Sequence, residues 1–427
     1  MRRSLVAAAA AAICATAFVA ATAPTAHAAT TSRIPAHVFA PYFEAYNGDS
    51  LSELSRQSGD KFLTLAFVQT PSRGSCTVYF NGDTSMPIAS GTFGSDISAI
   101  RSAGGDVIPS FGGYAADNGG TEIADSCTNV DSIAAQLEKV ITTYDVTRLD
   151  LDIEDNSLTN TAGIDRRNKA IKKVEDWAAA NGRLVEFSYT LPTTTAGLAD
   201  SGLAVLRSAV SNGARVDIVN MMTFDYYDGA AHNMATDTQT SANGLVSQLR
   251  SLYPSKTTGQ LWQMVGITEM IGIDDYGSGG ETGPLEVFTL AGARDIARWA
   301  HEHRIGELSF WALQRDNGGC PGGGAADNCS GVAQSTWQFS KTMQTFTSGT
   351  TTTPPTTTPT TPPTTPPTTR PTTPPTTAPG TTTWAPYTAY TVGQIVTYNG
   401  KRYQCRQSHT SLPGWEPPNV LALWLPL

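Results

Sequence analysis

The chain has 427 residues, with 28 Lys and Arg against 37 Asp and Glu, for a net charge of -9. That length fits one large core or two ordinary ones. Only 15% of residues are charged, and no basic patch is dense enough for nucleic acid or an anionic membrane, so a neutral or cationic partner is expected.

Arg2 and Arg3 precede the Ala-rich apolar stretch LVAAAAAAICATAFVAATA, and small residues at Ala26–Ala28 offer cleavage before Ala29. This is the pattern of an export signal over residues 1–28. A membrane anchor is the alternative, but the stretch is only weakly hydrophobic. No later segment offers the roughly 18 apolar residues a membrane span needs. The mature protein is therefore expected to be secreted, extracellular and monomeric. Five cysteines then remain. In an oxidising compartment they favour disulfides. Cys320 and Cys329 flank the short loop CPGGGAADNC and are expected to pair, as are Cys76 and Cys127. Cys405 is left over as a buried thiol. No spacing resembles a metal-ligand set.

Strand-like runs then alternate with helical ones. HVFAPYF (37–43) precedes a helix with Leu51 and Leu54. FLTLAFVQT (62–70) precedes a helix around Ile97 and Ile100. DVIPSFGG (106–113) is followed by a long loop and a helix carrying Ile133, Leu137, Val140 and Ile141, with Asp131 as its expected cap. RLDLDIE (148–154), LVEFSYTL (184–191), VDIVNMMTFDYY (216–227), QMVGITEMIG (263–272) and GELSFWALQ (306–314) each precede a further helix. Eight strand–helix units are the count of an α/β TIM (β/α)8 barrel, expected over residues 29–348. An open parallel sheet would use the same alternation. In a barrel, function sits at the C-terminal strand ends. There lie Glu154 after the fourth strand, Asp225 and Tyr226 after the sixth, Trp311 late in the eighth and Tyr42 in the first. Residues 349–383, almost all Thr and Pro, read as an extended spacer of on the order of 100 Å. A small all-β module is expected over 384–427.

In RLDLDIED the acids Asp150, Asp152 and Glu154 alternate with Leu149, Leu151 and Ile153. Strand side chains alternate faces, so the three acids share one face, roughly 6–7 Å apart. Like charges that close repel, and burial raises their cost. One acid should therefore stay protonated near neutral pH. Two carboxylates flanking a glycosidic bond are the usual apparatus of sugar hydrolysis. Glu154 is outermost and has the longest reach, so it is the expected proton donor. Asp152 and Asp150 lie deeper and could share a proton below it.

DLDIE at the end of a fourth barrel strand resembles the signature of family 18 glycoside hydrolases, the chitinases and their relatives, Asp-x-x-Asp-x-Asp-x-Glu. Its last three acids fall on Asp150, Asp152 and Glu154, and Thr147 stands where its first Asp would be. SFGG, with Ser110 and Gly112, resembles the third-strand Ser-x-Gly-Gly motif. MTFDY (Met222 to Tyr226) resembles the sixth-strand Met-x-Tyr-Asp motif. Phe224 occupies the family's Tyr position and Tyr226 follows the Asp, so which hydroxyl touches substrate stays open. Trp311 matches the eighth-strand Trp that floors the sugar site. The resemblance spans roughly residues 34–345 and implies retaining, substrate-assisted hydrolysis without a cofactor. On that footing the sugar's acetamido oxygen attacks the anomeric carbon. Glu154 serves as acid and then base, Asp152 supports the acetamido group, and Asp150 tunes Asp152. Asp225 and Tyr226 position the acetamido group or the water. Trp311, Met222, Ser110, Gly112 and Tyr42 line the substrate site.

The last 44 residues carry seven Trp and Tyr. QIVTY, an Asn-Gly turn and KRYQC read as a β-hairpin. AYTVGQIVTYNGKRYQC and HTSLPGWEPPNVLALW resemble the small chitin-binding modules of carbohydrate-binding families 5 and 12. The resemblance makes Trp415 the exposed ring for chitin, and places Trp424 and Tyr403 in the core. Together these readings imply a secreted chitinase acting on chitin and N-acetylglucosamine oligomers. The alternatives are an endo-β-N-acetylglucosaminidase acting on glycoproteins and an inactive chitin-binding lectin.

Overall fold

Pro41 interrupts the first apolar run, and the two pieces on either side of it close the sheet. Val38–Phe39 pairs in parallel with Glu307–Leu308 of the last strand, while Tyr42–Glu44 pairs with Thr64–Ala66 of the second. Between these ends the strands Phe62–Gln69, Asp106–Gly112, Arg148–Asp152, Glu186–Thr194, Ile218–Met222, Val265–Met270 and Glu307–Trp311 are neighbours in chain order. The result is the eight-stranded parallel barrel expected from the sequence, in a computed structural model. It describes residues 31–274, 284–322, 326–348, 382–385, 388–406, 409–411, 416–418 and 423–427. Residues 1–28, most of the spacer, Tyr387 and Trp415 lie outside the described residues.

Strands covered on both faces read as apolar runs. In the fourth strand Leu149 and Leu151 join the main hydrophobic core, while Asp150 and Asp152 take the opposite, inward face. The helix Val130–Tyr144 buries Ile133, Leu137, Val140, Ile141 and Tyr144, one stripe at helical spacing. Its cap is Asn129 rather than Asp131. Asn129 has extended backbone, and its side chain accepts the Ser132 N–H at 2.9 Å. Asp131 lies inside the first turn and pairs with Lys173 at 2.9 Å. Disulfides join Cys76 to Cys127 and Cys320 to Cys329.

The chain divides into two compact units near residue 354. In the second, Ile395–Tyr398 and Lys401–Cys405 form the expected antiparallel hairpin. Asn399 and Gly400 both take positive φ, 50° and 75°, as a two-residue type I′ turn demands. Thr382–Thr383, assigned from the sequence to the spacer, instead pairs with Ile395–Tyr398 and belongs to this sheet. Trp384, Tyr390, Val396, Tyr403 and Trp424 make its core together with Cys405, a buried cysteine outside both disulfides.

Candidate active site

Asp150 sits at the centre of the barrel as a hydrogen-bond acceptor. Its carboxylate takes the hydroxyls of Ser110 (2.6 Å), Thr190 (2.7 Å) and Tyr42 (2.9 Å). Asn220 extends this network to Tyr42, Thr190 and Thr268 at 2.8–3.3 Å. Burial still pushes the Asp150 carboxyl above its ordinary range, and the hydroxyl donors pull it part of the way back. One level up, Asp152 is buried and its Oδ1 has no hydrogen-bond partner among the described residues. Burial first, then the charges of Glu154, Asp150 and Asp117, push it well above the carboxylate range. The surroundings of Asp152 therefore favour its protonated form.

The fourth strand ends at Asp152, so Glu154 lies just past it and caps a 3₁₀ turn at Asp155–Leu158. Asp152 and Glu154 face a cleft of about 370 Å³ at the C-terminal mouth. Tyr42, Phe67, Met222, Phe224, Asp225 and Trp311 also line it. Its floor is aromatic. Trp311 stacks on Phe67 at 5.5 Å and 11°, and lies 5.7 Å from Tyr42. Sugar rings present C–H faces that pack on such surfaces, while aromatic rims keep a polar edge for hydroxyls.

The glycine pair makes this geometry possible. A Cβ on Gly112 would stand 2.0 Å from the Asp152 carbonyl oxygen, and one on Gly113 would meet the Phe67 ring at 2.6 Å. Both glycines also have positive φ.

Glu154, Asp152, Asp225, Met222, Trp311 and Tyr42 are thus brought to one cleft. Ser110, Asp150 and Gly112 lie beneath or behind it and do not line it. Tyr226 is not brought to the cleft. Asp225 and Tyr227 both have φ of 53°, so the chain turns sharply on either side of it. Tyr226 is buried, with its ring 4.8 Å from His232 and its N–H on Glu286 at 3.2 Å. Phe224, Asp225 and Tyr227 face the cleft instead. At the position of the absent first motif acid, Thr147 accepts the Arg33 N–H at 3.3 Å. The buried charge at the foot of the fourth strand is Arg148, 2.9 Å from both Glu307 and Glu186.

Sequence reasoning missed several residues here, Phe67 of the aromatic floor among them. Tyr46, Tyr114 and Tyr227 line the cleft while remaining 46%, 61% and 63% exposed, which leaves ring faces available to a ligand. Asp117 is fully buried and accepts the Glu154 backbone N–H at 2.5 Å. The only signal for it was an acid inside the otherwise apolar YAAD that follows the glycine pair.

The family model for Glycosyl hydrolases family 18 matches residues 38–283, and that for Carbohydrate-binding module family 5/12 matches residues 383–425. A probable bifunctional chitinase/lysozyme of Escherichia coli is 34% identical over 299 residues, covering 68% of this chain and 32% of that protein. Endochitinase 11 of Metarhizium anisopliae is 33% identical over 296 residues, 66% of this chain and 53% of that one. The chain thus spans about a third to a half of the length of these relatives. Chitinase A1 of Niallia circulans is 67% identical over 45 residues, 10% of this chain and 6% of that protein. Among solved structures, the catalytic domain of a hyperthermophilic chitinase from Pyrococcus furiosus superposes with TM-score 0.63 at 32% identity, covering 74% of this chain and 96% of that one.

Proposed function

The chain belongs to family 18 of the glycosyl hydrolases and is a glycoside hydrolase, and from that premise we propose that it is a chitinase cutting β-1,4 bonds between N-acetylglucosamine units. The observation that carries this reading is the row Asp150, Asp152, Glu154 rising from the barrel interior to the foot of an aromatic cleft. One proton held between Asp152 and Glu154 serves both. Glu154 gives it to the departing glycosidic oxygen as the C1–O bond breaks, and Asp152 is left as the carboxylate that accepts the acetamido N–H. The acetamido oxygen attacks C1 and forms an oxazolinium ion. Glu154, now a carboxylate, takes a proton from water as the water attacks C1 and the bond from C1 to the acetamido oxygen breaks, restoring the acetamide. Two displacements retain the configuration. Asp225 positions the acetamido group, and Trp311 carries the apolar face of the sugar at the scissile bond.

The C-terminal module concentrates this site on insoluble chitin, which an enzyme confined to soluble glycoproteins would not need. Secretion is supported by two disulfides, which persist in oxidising compartments. Among the described residues no helix is long and apolar enough to cross a membrane.

Glu154→Gln tests the reading. Turnover of chitin oligomers of defined length should vanish while binding to chitin persists. Sustained hydrolysis would remove Glu154 as the acid. A substrate with hydroxyl in place of the acetamido group should resist cleavage, and efficient cutting would require a protein nucleophile.

A further inference from the structure

The barrel sheet does not hold the backbone at Glu154. Its ladder on this side ends with the Ile153 N–H on the Thr190 carbonyl, at 3.0 Å. The next N–H belongs to Glu154, and it is bound by a side chain from another element: Asp117 Oδ2, on the short helix Tyr114–Gly119 after the glycine pair. Asp117 is fully buried, and its Oδ1 has no hydrogen-bond partner among the described residues.

The same segment grips the rest of the loop. Asp125 accepts the Ser157 hydroxyl, and the Asn160 amide at 2.8 Å. The Asn118 carbonyl takes the Asn156 amide at 3.3 Å. The segment is itself fixed from behind. Glu122 pairs with buried Arg167 at 2.8 Å, Ser126 donates to the Ser72 and Ser75 carbonyls at 3.0 and 2.9 Å, and Cys127 is bonded to Cys76.

We propose that Asp117 is a positioning residue for Glu154, the anchor through which the segment 114–127 sets the reach of the acid into the cleft. This rests on the reading of Glu154 as the proton donor. A donor must be placed to within a fraction of an ångström, and a misplacement of about 1 Å costs ~100-fold in rate.

The test compares Asp117→Leu, which has no acceptor, with Asp117→Asn, which keeps one. Each is assayed on chitin oligomers and on the same sugar carrying a nitrophenyl leaving group, with unfolding followed in parallel. Asp117→Leu should lose ~100-fold in kcat on the oligomer with KM within about threefold. The loss should be at least about fivefold smaller on the nitrophenyl glycoside, because a good leaving group needs less help from an acid. Asp117→Asn should recover at least about tenfold of that kcat. A kcat within about threefold of the parent for Asp117→Leu, or equal losses on both substrates, would overturn the assignment.

If the Leu variant does not fold, Asp117→Asn decides alone: a deficit larger on the oligomer supports the assignment, and equal losses on both substrates overturn it. Glu154→Gln separates the two claims. Inactive Glu154→Gln beside fully active Asp117→Leu would refute only the anchor, whereas active Glu154→Gln would refute both.

Discussion

Gly112→Ala should damage catalysis and stability together, because the space for a methyl group is already filled by the neighbouring strand. Gly112 is paired in register with Asp152 across the third and fourth strands. A methyl group there would lie 2.0 Å from the Asp152 carbonyl oxygen, and real Cβ contacts essentially never fall below 3.0 Å. The strands must therefore part by at least about 1 Å at the residue that holds the proton, which is worth ~100-fold in kcat. The contacted atom is backbone, so no rotamer change relieves it. That same oxygen accepts the Gly113 N–H at 3.2 Å, a bond worth about 1 kcal/mol. Alanine would also have to hold φ at +99°, at a cost of about 1–3 kcal/mol. Together these cost about 2–4 kcal/mol, a fall in melting temperature of about 3–6 °C for a domain of about 300 residues. Oligomer hydrolysis and thermal unfolding measured side by side check both halves. A variant with kcat within about threefold of the parent would refute the claim that Asp152 is held by close strand approach.

Buried acids should make the protein less stable as pH rises. Glu269 is fully buried and pushed up to about 8, and Glu307 beside Arg148 is pushed up to about 7, in both cases chiefly by burial. Each folded-state pKa lies above the unfolded value of about 4.3. Their stabilising contribution is therefore complete below about pH 4.3 and is lost as pH rises through 7 to 8. Glu269→Gln should flatten the urea midpoint between about pH 4.3 and 8, and an unchanged pH dependence would exclude Glu269 as its source. Replacing Cys76 and Cys127 by Ser opens a disulfide spanning 51 residues, and should cost about 4 kcal/mol of unfolding free energy by chain entropy. An unaltered unfolding curve would refute this. Trp415→Ala should weaken adsorption to insoluble chitin and leave hydrolysis of short soluble oligomers intact. Unchanged adsorption would place the binding face elsewhere.

Much of the fold was legible because strands covered on both faces must be apolar, and the eight runs stood apart from the helical stripes between them. Where the sequence misled, the cause was a local backbone choice that residue type does not announce. Asn129 and Asp131 are equally good caps, and which one served depended on where the chain turned from extended to helical. Tyr226 and Tyr227 are chemically identical. The left-handed conformations of Asp225 and Tyr227, both non-glycine, turned the second toward the cleft and the first onto His232. Asp117 was harder still. Its partner at Glu154 lies 37 residues away, and only the folded barrel brings the third-strand loop against the fourth.

The acid row was visible as alternation, yet what makes it tolerable was not. A barrel interior is ordinarily filled with Val, Ile and Leu. Around Asp150 the corresponding positions are Tyr42, Ser110, Thr190, Asn220 and Thr268, each from a different strand and all joined in one hydrogen-bond network. Any one of them alone is an unremarkable polar residue in a strand, and registry around a closed ring is what makes them a set. Hydroxyl donors offset part of the desolvation of Asp150, whereas Asp152 above it has no such partners on its Oδ1 and is pushed further toward its protonated form. The barrel thus divides two chemically identical side chains on one strand face into an anchored acceptor and a proton-holding acid. It does so by how many donors each level of the ring supplies.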